Sequence, residues 1–159
     1  MRNQQKGFSL IELLIVVAII LIISAIAIPN FMRSRMRANE VSAVASLRSI
    51  NTAAVTYSIT YPDLNFPPNL AALGGAAPCT LSSSAGACLI DEVLASGSKS
   101  GYLFVWTGDG QIPSVVFTLT ATPQVPGSSG QNIYCTDSSG VIRFEGTGAA
   151  CTNISSPLP

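Results

Sequence analysis

The chain has 159 residues, 48% hydrophobic and only 10% charged, with eight basic and eight acidic side chains that cancel. That length suits one globular domain with an appendage, and the balanced charge gives no composition-level sign of nucleic-acid binding. The chain has no histidine, which removes the commonest general base and metal ligand and any Ser-His or Cys-His nucleophile pair.

From Phe8 to Ile28 the sequence is apolar except for Ser9, Glu12 and Ser24. As a helix these 21 residues span about 31 Å, the hydrocarbon thickness of a bilayer. A secretory signal has a shorter apolar part and ends in small residues before its cleavage site. Here the run ends in AIAIPN and more helix follows, so the segment reads as one retained in the membrane. Counting cations leaves its orientation tied: Arg2, Lys6 and the α-amino group precede it, and Arg33, Arg35 and Arg37 follow. Glu12 is the anomaly. A carboxylate at membrane depth costs about 2.5–3.5 kcal/mol, so it needs a function.

The stretch KGFSLIELLIVVAII closely resembles the processing site and N-terminal helix of type IV prepilins and the related pseudopilins of type II secretion. In that family a basic leader ends in glycine, a prepilin peptidase cuts after it on the cytoplasmic side, and the new terminal residue is N-methylated. The resemblance implies a cleaved leader over residues 1–7, cleavage between Gly7 and Phe8, and a methyl group on Phe8. Glu12 stands at the family's acidic position, where it would meet the Phe8 amine of the next subunit and set the register of a stacked filament. Pro29 matches the proline that follows the hydrophobic half of the helix. Leu21 departs from the pattern, since many pilins have glycine there. Only Pro29 then weakens the helix over residues 22–29.

The function implied is that of a structural subunit, a major-type pilin polymerising through its N-terminal helix into a type IV pilus for adhesion, motility or related surface functions. The alternative is a pseudopilin forming a periplasmic pseudopilus for protein export. The partners implied are further copies of the chain in a homo-polymer, the prepilin peptidase, an inner-membrane assembly platform, minor pilins, and membrane lipid before assembly. The subunit would cross the inner membrane once with its N-terminus cytoplasmic, and after assembly lie in an extracellular pilus or periplasmic pseudopilus. No enzymatic role, cofactor, metal or direct nucleic-acid binding is expected. Losing Arg2 and Lys6 with the leader leaves six basic against eight acidic residues.

Residues 8–29 thus form the hydrophobic half of a long spine, and 30–61 an amphipathic half. Leu47, Ile50, Ala54, Tyr57 and Tyr61 recur at helical spacing on one face, with Arg33, Arg37, Glu40 and Arg48 placed largely on the other. One helix, kinked at Pro29, is expected from Phe8 to Ser58. Pro62, Pro67 and Pro68 end it, and residues 62–159 make a disulfide-bonded β domain. Residues 69–78 read as a short helix closed by Gly74 and Gly75, with a further helical turn near IDEVLAS.

Strand patterns begin at Tyr102. YLFVWT is apolar on both faces and suits an inner strand, with TGDGQ as a turn after it. SVVFTLTA alternates, placing Val115, Phe117, Leu119 and Ala121 inward and Ser114, Thr118 and Thr120 outward. NIYCT and VIRFE form a hairpin through DSSG, with Ile142 and Phe144 inward. Three or four antiparallel strands on an amphipathic helix give an α+β fold.

Cys79, Cys88, Cys135 and Cys151 include no C-x-x-C spacing for zinc, and outside the cytoplasm they oxidise. Three pairings are open. Local pairing, Cys79–Cys88 and Cys135–Cys151, is the expectation, each closing a Gly/Ser-rich loop. The carboxylates are too scattered for a calcium cage; Asp109 and Asp137 read as turn residues. Tyr102, Phe104 and Trp106 share a strand face better suited to packing than to stacking on bases. Asn153-Ile-Ser155 is a glycosylation sequon by pattern only.

Overall fold

The computed structural model describes residues 7–75, 78–79, 81–146 and 148–158. The leader Met1–Gly7 lies outside them except for Gly7. Two compact units are present, one up to Arg35 and one from Met36 onward. The fold is α+β, a long helix α1 (Leu10–Thr60) followed by a six-stranded antiparallel sheet.

In the first unit α1 runs through Pro29 and stays helical over residues 22–29. Proline lacks the N–H that would bond the carbonyl of Ala25, yet the helix continues on both sides of it. From Leu10 to Met32 every large apolar side chain is exposed.

In the second unit the helix buries Ala43, Leu47, Ile50, Ala54 and Tyr57 at spacings of three and four, with Tyr61 half-buried beyond its end. This stripe meets the inner face of the sheet. A 3₁₀ turn (Leu70–Leu73) is capped by the Asn69 side chain accepting from the Ala72 N–H, and α2 (Glu92–Ala95) by Asp91 accepting from the Leu94 N–H. The strands β1 (Ser98–Lys99), β2 (Tyr102–Gly108), β3 (Phe117–Pro123), β4 (Asn132–Asp137), β5 (Arg143–Gly146) and β6 (Ser156–Pro157) pair in chain order. The two-residue edges β1 and β6 are too short to leave a sequence pattern, which is why three or four strands were legible and six are present.

Tyr102, Phe104, Phe117, Leu119, Ala121 and Tyr134 point into the core. Trp106 stacks on Phe117 at 4.1 Å between ring centroids and donates its indole N–H to the Pro67 carbonyl. The aromatic face of β2 is therefore packed, not presented. Ile142 is buried and Phe144 packs against the core. Burial also pushes the Tyr102 phenol above its ordinary pKa; its hydroxyl donates to the Asn132 carbonyl.

Three expectations need correction. YLFVWT is not buried on both faces, because Leu103 and Val105 are exposed; alternating apolar residues on β2 mark a sheet with one face uncovered. Val115 points out and Ser114 is buried, the reverse of the alternation. The strand begins only at Phe117, since the Asp109 carboxylate accepts hydrogen bonds from the N–H groups of Gln111, Val115 and Val116 and folds 109–116 into a loop. Glu40 does not share the solvent side with the arginines. It is 4% exposed and accepts from the backbone N–H of Gln131 at 2.9 Å.

Candidate processing and assembly segment

Gly7, Phe8 and Ser9 lie outside any helix, and α1 begins at Leu10. The Gly7–Phe8 bond is thus in extended or irregular chain, the conformation a peptidase can accommodate, and the Phe8 ring is 87% exposed. Glu12 turns back toward this start. Its Oε2 accepts the Ser9 backbone N–H at 2.8 Å. Ser9 stands at the N-cap and Glu12 at the third helical position, the geometry in which a glutamate satisfies one of the four donors a helix start leaves unpaired. The signal S-x-x-E is present in the sequence as SLIE and was open to reading. The negative charge also sits at the favourable end of the helix dipole.

The rest of the segment carries no charge before Arg33. Its helix is long and apolar enough to cross a membrane. Beyond it the Arg35 guanidinium lies 5.7 Å from the centre of the Phe31 ring.

In the second unit, Cys79 is bonded to Cys88 and Cys135 to Cys151, with Cα separations of 5.9 and 5.8 Å. The first closes a loop that Tyr57 holds to the helix by donating to the Ser84 carbonyl. The second ties residue 151 to β4. Among the described residues no three His, Cys, Asp or Glu side chains gather where they would hold a metal ion. Asp109 and Asp137 serve turns: the Val115 N–H, then that of Gln111, hold the Asp109 carboxyl down to about 2, and Asp137 accepts from the Ser139 N–H. Ser155 of the sequon is buried, its hydroxyl accepting from the Thr152 N–H, so the folded domain does not present that hydroxyl.

Glu40, like Ser114 and Val115, lies on the opposite side from the one expected of it. The Arg37 guanidinium, itself 75% exposed, bonds its other oxygen at 3.2 Å. Beside it Asn39 donates to the Ser129 carbonyl. Together they hold the β3–β4 loop to the helix. The spacing 40, 43, 47, 50, 54, 57 runs the apolar stripe two turns further back than Leu47 and would have placed Glu40 on it.

Residues 2–28 match the family model of the prokaryotic N-terminal methylation motif. Over 54 residues the chain is 46% identical to the type IV major pilin protein PilA of Myxococcus xanthus, covering 34% of this chain and 24% of that protein. Over 47 residues it is 57% identical to the type IV wide pilus major component PilA4 of Thermus thermophilus, covering 30% and 35%. Over 66 residues it is 29% identical to the type II secretion system core protein G of Escherichia coli, covering 40% and 46%. The chain thus spans less than half the length of each of these relatives. No solved structure gives a significant match. In its methylation motif and apolar N-terminal helix the chain is similar to type IV pilins and pseudopilins.

Proposed function

We propose that the chain is a major-type pilin, a structural subunit that polymerises through its N-terminal helix into a type IV pilus serving adhesion, motility or a related surface function. The observation that carries this reading is the helix that exposes large apolar side chains on every side from Leu10 to Met32 and keeps a single carboxylate, Glu12, in its first turn. Such a surface is satisfied by lipid before assembly and by copies of itself afterwards.

The prepilin peptidase cuts between Gly7 and Phe8, and Phe8 is then N-methylated. Cleavage frees a positive amine at Phe8. One oxygen of Glu12 is held by Ser9, and the other is available to the amine of a neighbouring subunit. In a filament core of low dielectric a paired charge costs far less than an unpaired one, so each added subunit is drawn to one axial register. The inner membrane, an assembly platform and minor pilins are the implied setting, with an extracellular filament as the product.

The alternative, a pseudopilin of type II secretion, is favoured by the match to core protein G, at lower identity than the two pilins named above. Imaging sheared surface filaments with and without the gene, alongside an assay of protein export, tests the proposal. Loss of filaments with intact export supports the pilus; intact filaments with lost export supports the alternative.

A further inference from the structure

Two arginines at the far end of the apolar run are left without an acidic partner. Glu12 is the only acidic residue of the first unit, and the next along the chain is Glu40. Both oxygens of Glu40 are committed, one to the Gln131 N–H and the other to Arg37. Among the described residues the ion pairs are Arg37–Glu40 and Lys99–Asp91. Arg33 and Arg35 are exposed and belong to neither.

Their depth follows from helix geometry. The helix α1 is continuous from Glu12 to Arg33, and at about 1.5 Å per residue it rises about 31 Å between them. The hydrocarbon core of a bilayer is about 30 Å thick. No charged residue lies between the two positions, and the large apolar side chains there are all exposed. With Glu12 at one headgroup layer, Arg33 therefore stands at the other, the layer away from the N-terminus. Phe31 marks the same level, where aromatic rings collect in membrane proteins. Its ring is exposed, and the Arg35 guanidinium lies 5.7 Å from its centre, a contact that holds the cation beside the helix.

That layer is built of phosphodiesters. A guanidinium meets two phosphate oxygens at once through its parallel N–H donors. In a zwitterionic lipid the headgroup's own cation competes for the phosphate, and in an anionic lipid nothing does. Residues two apart on a helix point about 200° apart, so Arg33 and Arg35 reach different lipids.

We propose that Arg33 and Arg35 each bind the phosphate of an anionic phospholipid in the leaflet away from the N-terminus, fixing the depth of the subunit before it assembles. The inference rests on the reading of the helix as a membrane span, and adds to it a lipid class and the two residues that select it. Attraction of one arginine to an anionic membrane surface amounts to about a fivefold preference. A site with that preference is half filled by anionic lipid when about one lipid in six is anionic, and a site with none only at about one in two.

The test places the ¹⁵N-labelled full chain in phosphatidylcholine bicelles at mildly acidic pH and titrates in phosphatidylglycerol. The Nε–H signals of Arg33 and Arg35 are followed, with that of Arg48, exposed further along the same helix, as the reference. The first two should reach half their full shift at about one phosphatidylglycerol in six lipids, and Arg48 should not follow that curve. Arg33→Gln should leave the Arg35 curve in place, and Arg35→Gln the Arg33 curve. In each variant the backbone amide at the changed position should move only in proportion to the phosphatidylglycerol fraction. Inorganic phosphate added to pure phosphatidylcholine bicelles should move neither arginine signal. Half-shifts at about one in two, an Arg48 signal on the same curve, or saturation by inorganic phosphate would overturn the lipid preference while leaving the membrane span intact. Free exchange of the amides of residues 13–28 with water in the bicelles would instead overturn the span itself, and the proposal with it.

Discussion

Glu12 has two chemical jobs available, and substitutions separate them. The first is local: its carboxylate closes the helix start by accepting the Ser9 N–H at 2.8 Å. The second is the proposed pairing with the Phe8 amine of a neighbour. Glu12→Gln keeps an amide oxygen with the same reach, so the cap survives while the charge is lost. Glu12→Leu removes both, and Glu12→Asp keeps the charge with a shorter arm. Losing a helix-start acceptor costs about 0.5–2 kcal/mol and acts on one subunit's first turn. Leaving the Phe8 amine unpaired in an apolar filament core costs about 3–5 kcal/mol per subunit, at least a hundredfold in each addition step, because about 1.4 kcal/mol is a factor of ten. Leucine and glutamine variants should therefore both reach the membrane, leucine slightly better, and both should fail to assemble. Aspartate should be intermediate. The assay is sheared-filament yield against total membrane subunit. If Glu12→Gln gives wild-type yield at equal subunit level while Glu12→Leu does not, Glu12 acts as a cap alone and the register argument is wrong.

Intact-mass analysis of the assembled subunit should show loss of Met1–Gly7 and gain of one methyl group; a subunit that still begins at Met1 would contradict the processing reading. Glu40→Leu should destabilise the domain by about 0.5–1.5 kcal/mol in chemical denaturation, because the Gln131 N–H loses its acceptor in a partly buried hydrogen bond, whereas Glu40→Gln should cost less. Cys151→Ser should cost about 2–4 kcal/mol by opening the Cys135–Cys151 loop; an unchanged denaturation midpoint with the disulfide absent would refute this. Asp109 should titrate near 2 by NMR. Its folded value is depressed, so its contribution to stability is present above the unfolded value of 3.8 and fades as pH falls through about 2; a midpoint near 4 would deny the backbone hydrogen bonds that hold it.

What the sequence discloses follows from how far each signal reaches. The apolar stripe of Leu47, Ile50, Ala54 and Tyr57 is a local periodicity, and helix packing obeys it. The hairpin through residues 137–140 is equally local. Glu40 sits on the same stripe, yet a glutamate is read as solvated unless its partner is known, and that partner, the Gln131 N–H, lies 91 residues away. Ser114 and Val115 break the alternation because the Asp109 carboxylate accepts from the Val115 and Val116 N–H groups, a side-chain competition that apolar counting does not register. The hydrogen bond from Arg143 Nη1 to the Ser155 carbonyl depends on antiparallel register and on the course of the C-terminal segment beyond the second disulfide. The N-terminal segment is legible for the opposite reason. Its chemistry is held within six consecutive residues, Gly7 to Glu12, where the proposed cleavage bond and the amine it would free stand just before the helix and the cap and carboxylate close its first turn. A function performed by copies of one helix must be encoded in that helix, and therefore in adjacent residues. A function performed by a folded surface is encoded in residues that only the register of the sheet brings together.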